Sequence, residues 1–297
     1  MKVLVTGTSG QLGHDVMMEL LKRGHQAVGA DRSGGEGEFE RVQLDITDAE
    51  RVSAVVEELK PDAIIHCAAW TNVDGAEAPE NLNKVRAVNV EGTRNLAEAC
   101  KKIDGKFVYI STDYVFDGAG EEPWQADDQN YAPINVYGQS KLDGEKEVAK
   151  ILDKYFIVRI AWVFGKNGKN FVKTMIEVGK KHEVVKVVDD QIGTPTYTYD
   201  LARLLVDMIE SDKYGYYHAT NEGGYISWAD FTEEIFKQAG ILSKVERVTT
   251  EKYEKIAGKT VAKRPFNSRL DKSKLVEAGF TPLPTWQDAL GRYLKEI

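Results

Sequence analysis

The sequence is poor in cysteine and contains no long apolar run. Its 297 residues include only Cys67 and Cys100, whose spacing is unlike that of metal ligands. We therefore expect reduced thiols and a cytoplasmic protein, because disulfides belong to oxidising compartments. Nowhere do 18 apolar residues follow one another, which excludes a membrane-spanning helix on length. The first apolar run begins at Val3, so we also expect no signal peptide.

Positive charge is scarce as well. The chain has 39 Lys and Arg residues against 47 Asp and Glu residues, which gives a formal net charge of −8. Nucleic acid is held mainly by clustered Lys and Arg, so this balance argues against a nucleic acid partner. Repeats and compositionally biased tracts are also missing, which disfavours disorder. The length allows one large domain, or a large domain with a smaller one.

Short apolar runs alternate with segments of helical periodicity through the first half of the chain. The predicted strands are Val3–Val5, Gln26–Ala30, Ala63–His66, Phe107–Ile110 and Tyr155–Val158. The predicted helices cover 11–23, 48–59, 80–103 and 137–151. This alternation predicts an α/β fold with a Rossmann-type, doubly wound parallel sheet. Ligands of such sheets bind beyond the carboxyl ends of the strands.

The second half is less regular. Helices are predicted near 170–181, 198–210, 227–239 and 285–296, with Ser227 as the cap of the third and no predicted role for Trp228. We expect residues 1–165 to form the dinucleotide-binding domain and residues 192–220 to return to it. Residues 166–191 and 221–297 would form a smaller substrate-binding lobe over the carboxyl edge of the sheet. A cleft between two lobes is a natural substrate site.

The turn after the first strand is typical of a dinucleotide site. It reads TGTSGQLG over residues 6–13 and lies between a strand and an amphipathic helix. Gly7 permits the tight turn, Gly10 lets the backbone approach a pyrophosphate, and Gly13 lets the helix pack closely on the strand. The helix N-terminus would present free N–H groups to the anion. The residues predicted to bind the cofactor here are Gly7, Gly10, Gln11, Leu12 and Gly13.

The residues after the second and third extended segments bear on cofactor preference. Asp31 follows the glycine turn by 18 residues, where a carboxylate would accept hydrogen bonds from the adenosine ribose. Arg32 comes next, and its guanidinium could accommodate a 2′-phosphate. We expect NADPH or NADH, with NADH or dual use favoured over strict NADPH. Asp45 and Ile46 could reach the adenine edge, although Asp45 or Asp48 could equally cap the next helix.

A threonine, a tyrosine and a lysine form the candidate catalytic group. Thr112 follows the fourth predicted strand, and Tyr137 and Lys141 lie four residues apart, on one face of a helix. A neighbouring ammonium lowers the pKa of a phenol from its usual value of about 10. Tyr137 would then act as an acid/base toward a carbonyl or alcohol oxygen, and Thr112 could hydrogen-bond that oxygen. The spacing alone also fits an ordinary surface pair, so its weight comes from the glycine turn.

With the glycine turn, Thr112 and the Tyr137/Lys141 pair in this order, the sequence resembles the extended short-chain dehydrogenase/reductase superfamily. Within that superfamily it is most similar to the dTDP-4-dehydrorhamnose reductase family. The segments that carry the likeness are AAWTNVD at 68–74, STDYVFDG at 111–118, WVFG at 162–165, DQIGTPT at 190–196 and RPFNS at 264–268. The resemblance implies NAD(P)H-dependent reduction of the C4 ketone of a dTDP-4-keto-6-deoxyhexose, giving dTDP-L-rhamnose.

The resemblance also implies a role for individual residues. Tyr137 would donate the proton to the C4 oxygen, Lys141 would bind the nicotinamide ribose and polarise the tyrosine, and Thr112 would position the sugar oxygen. Ala68, Ala69 and Tyr137 would lie against the cofactor. The residues matched to the dTDP-linked sugar are Thr71, Val73, Thr112, Asp113, Trp162, Asn170, Gln191 and Arg264. No metal is needed for the transfer, and none is predicted.

Several of these assignments have a plain structural alternative. Trp162 could be a packed core aromatic, and Thr71 and Val73 could be ordinary loop residues. Asp113 could be a turn residue bonded to local backbone. Arg264 could hold a diphosphate bidentately or be solvated.

Position 114 helps to separate reduction from dehydration. Related nucleotide-sugar dehydratases carry a Thr-Asp-Glu run, whereas Tyr114 follows Thr112 and Asp113 here. Without that glutamate, elimination of water lacks its expected base.

Two other functions are left open: a nucleotide-sugar epimerase that recycles its cofactor, and a non-catalytic, NADP-binding regulatory subunit similar to that of methionine adenosyltransferase. A homodimer is also left open, although the highly charged helix at 137–151 weakens the case for pairing through it.

Overall fold

The computed structural model describes residues 1–33, 39–257 and 262–297. The strands in these ranges are β1 (Lys2–Thr6), β2 (Gln26–Asp31), β3 (Arg41–Gln43), β4 (Ala63–His66), β5 (Lys106–Thr112), β6 (Tyr155–Ile160), β7 (Val163–Phe164), β8 (Val184–Val188), β9 (Ile192–Gly193), β10 (Thr196–Tyr197), β11 (Gly215–His218), β12 (Ile226–Ser227) and β13 (Lys244–Val248). The helices are α1 (Gln11–Lys22), α2 (Ala49–Leu59), α3 (Val73–Ala76), α4 (Leu82–Arg86), α5 (Thr93–Lys102), α6 (Val136–Ile151), α7 (Phe171–Gly179), α8 (Thr198–Ile209), α9 (Trp228–Ala239), α10 (Thr250–Ala257), α11 (Ser273–Glu277) and α12 (Trp286–Leu294). Short 3₁₀ turns cover Pro79–Asn81 and Asp113–Val115.

Within the described chain, seven parallel strands form the main sheet. Their order is β11-β6-β5-β4-β1-β2-β3. The chain moves outward in one direction from β1 to β3 and then returns to add β4 on the other side of β1. This reversal is the topological switch point at which doubly wound sheets bind their ligands. The predicted α/β class with a doubly wound parallel sheet is therefore confirmed.

Both faces of the sheet are buried, because successive side chains of each strand point to opposite sides. Val3 and Val5 pack with α1 and α8 in one core. Leu4, between them in the sequence, packs with α2, α5 and α6 in the other. The two cores hold β1 rigidly at the centre of the sheet, and the glycine turn follows directly from it.

The segment predicted as one helix at 80–103 is helical but interrupted. A π-helical turn at Ala87–Gly92 separates α4 from α5. A Cβ atom on Gly92 would lie 2.7 Å from Ile46 Cγ1, so the turn packs tightly on the neighbouring loop. Inside the turn, Asn89 donates to Ser140 on α6 at 2.9 Å. The apolar periodicity of the sequence does not show the one extra residue of a π-helical turn, so the interruption was not predicted. Turns of this kind are frequent near functional sites.

A second group of elements, called the second lobe below, shares a core of its own. The helices α7, α9 and α12 enclose an aromatic-rich core with Phe164, Phe231, Trp286 and Tyr293. Strands β8 and β13 pair in parallel beside it, a contact between distant segments that the sequence pattern did not predict. The predicted domain boundaries stay a prediction, and residues 34–38 and 258–261 of those domains lie outside the described residues. Every helix in the described ranges is too short or too polar to span a membrane.

Candidate active site

The glycine turn connects β1 to α1 and meets the end of β4. Gly7 has a φ of +74°, and a Cβ atom there would lie 2.7 Å from the Ala68 nitrogen. A Cβ atom on Gly13 would lie 2.3 Å from the Gly7 oxygen. Side chains at either position would strike backbone, which cannot move aside as a flexible side chain can. The helix therefore approaches the strand as closely as the glycine pattern predicted.

The start of α1 has the features of an anion site. Gly10 is its N-cap, and no described side chain caps the first turn. The first N–H groups of the helix are thus available to a negatively charged ligand. Asp31, at the end of β2, accepts a hydrogen bond from the Ser9 backbone at 2.9 Å and another from the Thr8 hydroxyl. Open helix amides beside a carboxylate fit the pyrophosphate and ribose of a dinucleotide.

The residues predicted at the adenine end differ in their exposure to solvent. Arg32 is exposed, and so is Asp45, whose carboxylate accepts from the Thr47 backbone at 3.0 Å. The hydrogen bonds from Thr47 lower the pKa of Asp45. Ile46 is buried in the core. The cap of α2 is Asp48, which accepts from the Arg51 backbone at 3.0 Å. Of the two candidate caps, it is therefore Asp48 and not Asp45 that caps the helix.

The loop after β4 lies between the glycine turn and α6. The Ala68 nitrogen donates to the Thr6 hydroxyl at 3.2 Å, and Ala69 follows it, partly buried. The next residue is clamped by Asn89, whose side-chain oxygen accepts from the Trp70 nitrogen at 2.7 Å. Beyond this clamp Thr71 is exposed.

Val73, the other loop residue matched to the sugar, opens α3. Asn72 caps this helix by accepting from the Gly75 nitrogen at 2.9 Å. Val73 is partly buried, so the structure places Thr71 and Val73 on either side of the helix cap.

His66, which also lies near this loop at the end of β4, is a packed core residue. Its ring nitrogens contact the Thr6 hydroxyl at 2.7 Å and the Thr93 hydroxyl at 3.1 Å. Burial lowers the pKa of His66 to about 3, with a smaller contribution from Lys141, so the ring is neutral. A neutral imidazole bonded on both sides has no free position for catalysis.

Three predicted residues meet where β5 ends and α6 begins. Asn135 caps α6 by accepting from the Gly138 nitrogen at 2.7 Å, which fixes the direction in which Tyr137 leaves the helix. The Tyr137 phenol faces the Thr112 hydroxyl, with which it makes a polar contact. The Thr112 hydroxyl in turn donates to the Asp113 carboxylate at 3.0 Å. The structure thus aligns Tyr137, Thr112 and Asp113 in one polar chain.

Asp113 is nearly inaccessible, with 2% of its surface exposed. Burial raises its pKa to about 6, against the opposing contacts with the Ser268 and Thr112 hydroxyls. One carboxylate oxygen, Oδ2, has no hydrogen-bond partner among the described residues. Ser268 belongs to the segment 264–268, but the sequence offered no signal that it would meet a residue so far away in the chain.

The electrostatics of Tyr137 and Lys141 differ from the expectation drawn from their spacing. We expected the ammonium to lower the pKa of the phenol. Instead, burial raises the pKa of Tyr137, the charge of Asp113 adds to this effect, and Thr112 opposes it. The Lys141 nitrogen lies over the Tyr109 ring, 4.0 Å from its centre. Burial also lowers the pKa of Lys141 to about 7.

Trp162 lies at the entrance to the second lobe in an unusual conformation. Its φ is +50°, in the left-handed region that non-glycine residues rarely occupy. Its indole stacks on that of Trp228, with ring centroids 3.6 Å apart and planes within 13°. Strain of this kind persists where the surroundings enforce it, often at ligand sites. Trp228, which had no predicted role, therefore holds Trp162, a predicted site residue, in place. The contact could not be predicted because the two residues are far apart in the sequence.

The two amides predicted at the nucleotide end are occupied by protein contacts. Asn170 caps α7 and donates to Gln11 at 3.0 Å, which brings it to the glycine turn. Gln191 is buried and donates to the Thr250 hydroxyl at 3.0 Å. The structure does not bring these two side chains to the group formed by Tyr137 and Thr112 within hydrogen-bonding distance.

Arg264 connects the second lobe to the loop after β4. Its guanidinium donates to the Asp74 carboxylate at 3.0 Å, and Asp74 also accepts from the Ala262 nitrogen at 3.0 Å. The Arg264 side chain is 30% exposed, so it is partly open to solvent. Asp74 lies in the segment 68–74 without a predicted role, and only the fold brings it to Arg264. Among the described residues, no group of three or more His, Cys, Asp or Glu side chains is arranged to hold a metal ion.

This arrangement, on a sheet of this order, defines an oxidoreductase of the extended short-chain dehydrogenase/reductase class. The family described as RmlD substrate binding domain matches residues 1–297, and the chain belongs to that family. The dTDP-4-dehydrorhamnose reductase of Aggregatibacter actinomycetemcomitans is 38% identical over 97% of each chain. The solved dTDP-4-dehydrorhamnose reductase of Clostridium acetobutylicum has a TM-score of 0.91, with 40% identity over 99% of each chain. That of Bacillus anthracis, solved in complex with NADP, has a TM-score of 0.89, with 41% identity over 99% of each chain. The resemblance predicted from the sequence is confirmed.

Proposed function

We propose that the protein uses NAD(P)H to reduce the C4 ketone of a dTDP-4-keto-6-deoxyhexose, giving dTDP-L-rhamnose. The observation that carries this proposal is the polar chain from Tyr137 through Thr112 to Asp113, which lies at the same sheet edge as the glycine turn. Family membership and the names of the similar reductases support the choice of substrate. The bound cofactor supplies the hydride. The protein supplies position, a proton and a water-poor surface.

Tyr137 is the proton donor in this proposal. A donor must hold its proton until the ketone oxygen gains negative charge, and a phenol whose pKa lies at or above its usual value of about 10 is protonated at neutral pH. Thr112 positions the same oxygen, because its hydroxyl faces the phenol. As the proton leaves Tyr137, the developing phenolate would be stabilised by the charge of Lys141 one turn along the helix.

The residues proposed to hold the cofactor fit its parts. The backbone at Gly10, Gln11 and Leu12 would bind the pyrophosphate, and Asp31 would accept from the adenosine ribose. Lys141 would bind the nicotinamide ribose. Ala68, Ala69 and the backbone beside Ile46 would line the remaining surface, with Asp45 at the adenine edge. Arg32 is exposed and able to meet a 2′-phosphate, and the similar Bacillus anthracis reductase was solved with NADP. We therefore propose that both NADH and NADPH are accepted.

The dTDP-sugar is proposed to lie between the Tyr137 group and the second lobe. Asp113 offers an open, buried carboxylate oxygen to a sugar hydroxyl, and a buried polar group of this kind gains most from a hydrogen-bonding ligand. Trp162 would cover the sugar, and Thr71 and Val73 would flank it. Arg264 is proposed to meet the diphosphate, while Asn170 and Gln191 would act mainly through the protein segments to which they are bonded.

The direct test supplies purified protein with NADH or NADPH and a dTDP-4-keto-6-deoxyhexose. We expect the reduced cofactor to be consumed only when the sugar is present, and the product to be dTDP-L-rhamnose. An epimerase would instead convert a sugar without net cofactor consumption. A regulatory subunit would bind the cofactor and turn over no dTDP-sugar. Either outcome would refute the proposal.

A further inference from the structure

A fully buried ion pair lies one helical turn beyond Lys141. Glu145 and Arg159 are 1% and 0% exposed at their side chains. Arg159 donates from Nε to one carboxylate oxygen at 2.9 Å and from Nη2 to the other at 2.8 Å. This is the bidentate geometry that holds a carboxylate most firmly.

Arg159 is itself held from several sides. It donates to the Ala126 carbonyl at 3.2 Å and to the Tyr131 hydroxyl at 2.9 Å. Its guanidinium carbon also lies 5.1 Å from the centre of the Phe116 ring and 4.9 Å from that of Tyr216. A guanidinium with this many partners cannot follow a moving carboxylate, so it fixes Glu145 in one place.

A buried ion pair is a weak means of stabilising a fold, because removing two charges from water costs about as much as their attraction returns. A pair of apolar side chains would fill the same space as well. The pair therefore suggests a role other than stabilising the fold, and its position beside Lys141 indicates that role. Glu145 follows Lys141 by four residues on α6, so the two side chains share the buried face of the helix.

The other titratable groups around Lys141 are neutral near pH 7. Burial lowers the pKa of His66 to about 3 and raises that of the Cys67 thiol to about 12. Burial also raises the pKa of Tyr109, which lies beneath the ammonium, well above its usual value, and raises that of Tyr137. Glu145 is thus the negative charge that faces Lys141 among the described residues.

Further groups lie behind the pair. Arg159 adds a positive charge on the far side of Glu145, and it lowers the pKa of the neighbouring His218, which burial already holds well below its usual value. Burial alone would drive Lys141 toward its neutral form, and the charge of Glu145 opposes that effect.

We propose that Glu145, fixed by Arg159, is a positioning residue that keeps the Lys141 ammonium charged inside the buried site. The inference deepens the proposed function, since it rests on the role of Lys141 toward the nicotinamide ribose. Glu145 touches neither substrate nor cofactor in this account. It acts through Lys141, and Arg159 acts through Glu145.

The test measures how NADH affinity depends on pH, by nicotinamide fluorescence, in a Tyr137→Phe background. That background removes the phenol, so the titration reports on the lysine. NADH is chosen because it lacks the 2′-phosphate, which itself titrates near pH 6. We expect affinity to fall as pH rises through the pKa of Lys141. Adding Glu145→Gln should move this fall to lower pH by roughly one unit, since an opposite charge nearby shifts a pKa by about that much or more.

Glu147→Gln is the matched control. It removes the same charge from the same helix, two residues further on and on a more exposed face, so the pH at which affinity falls should not change. If Glu145→Gln does not fold, the double variant Glu145→Gln/Arg159→Met decides the question. It removes both charges, a change that buried pairs often tolerate. The pH at which NADH affinity falls should again become lower, but by less than in Glu145→Gln.

Equal pH dependence in the Glu145 and Glu147 variants would overturn the inference, as would NADH affinity that does not vary with pH. Either result would leave the pair as a structural element. The proposed function is tested separately, because the binding titration uses no sugar. Wild-type protein that turned over no dTDP-sugar would refute the function while a shifted titration still supported the role of Glu145.

Discussion

The sheet side and the lobe side of the candidate site are built in different ways. On the sheet side, the cofactor turn is one continuous segment, residues 6–13, in which Gly7 and Gly13 lie too close to neighbouring backbone to carry a Cβ atom. On the lobe side, the contacts join distant side chains, such as Arg264 with Asp74 and Trp162 with Trp228. The sheet side is therefore rigid, and its structure can be predicted from a short sequence motif. The lobe side depends on how the whole chain folds.

Tyr137 stands where the two sides meet, and changing it should have the largest effect. We expect Tyr137→Phe to lower kcat about 10²- to 10⁴-fold, which is the range for loss of a general acid. NADH affinity should change little, because phenylalanine keeps the aromatic ring and Lys141 still binds the nicotinamide ribose. Steady-state kinetics and fluorescence titration measure the two quantities. Turnover at the wild-type rate would contradict the assignment of Tyr137 as proton donor.

On the sheet side, Gly13→Ala should break the cofactor turn. The added Cβ atom would lie 2.3 Å from the Gly7 oxygen, and overpacking of this kind costs about 1–3 kcal/mol. We expect a lower Tm and NADH affinity weakened at least 10-fold. Gly291→Ala on α12 is the control, since its Cβ atom would meet only the flexible end of the Gln238 side chain, 3.0 Å away. Equal effects of the two substitutions would show that the close approach is unimportant.

On the lobe side, Trp228→Ala should loosen Trp162 without touching the glycine turn. An aromatic stack contributes about 0.5–1.5 kcal/mol beyond its buried area, so we expect KM for the dTDP-sugar to rise roughly 2- to 10-fold. The Kd for NADH should stay constant. Trp228→Phe keeps an aromatic face and should recover most of the loss. A rise in the NADH Kd that matched the rise in KM would contradict the separation of the two sides.

The smallest effect is expected from the exposed pair of Asp74 and Arg264. Asp74→Asn should change stability by less than about 1 kcal/mol, because exposed ion pairs contribute little. It should still raise KM for the sugar a few-fold by releasing Arg264. Asp127→Asn is the control, since it removes another exposed pair, with Lys274, away from the Tyr137 group. An unchanged KM in Asp74→Asn would mean that Arg264 needs no partner to meet its ligand.

The difference between the two sides also explains what the sequence could predict. Glycine spacing and the alternation of strands with helices follow from local pattern, so the α/β class, the doubly wound sheet and the place of the glycine turn were predictable. The positions of Thr112 and Tyr137 at the sheet edge follow from the same pattern. The π-helical turn at Ala87–Gly92 was missed because one extra residue in a turn barely alters apolar periodicity.

Other features depend on contacts that no local pattern encodes. Ser268 reaches Asp113, and Trp228 reaches Trp162, only after the chain has folded. The direction of the Tyr137 pKa was also misjudged, because spacing shows which charges are near but not how deeply a group is buried. Burial is a property of the whole fold, and here it is the largest cause of the raised pKa of Tyr137.

The most direct test of the central claim follows the hydride. NADPH carrying deuterium at the transferable position of the nicotinamide should be incubated with the protein and a dTDP-4-keto-6-deoxyhexose, and the product examined by NMR and mass spectrometry. The account predicts one deuterium, located at C4 of the deoxyhexose, with one cofactor oxidised for each sugar reduced. A sugar product without deuterium at C4, or one formed with no net oxidation of the cofactor, would contradict it.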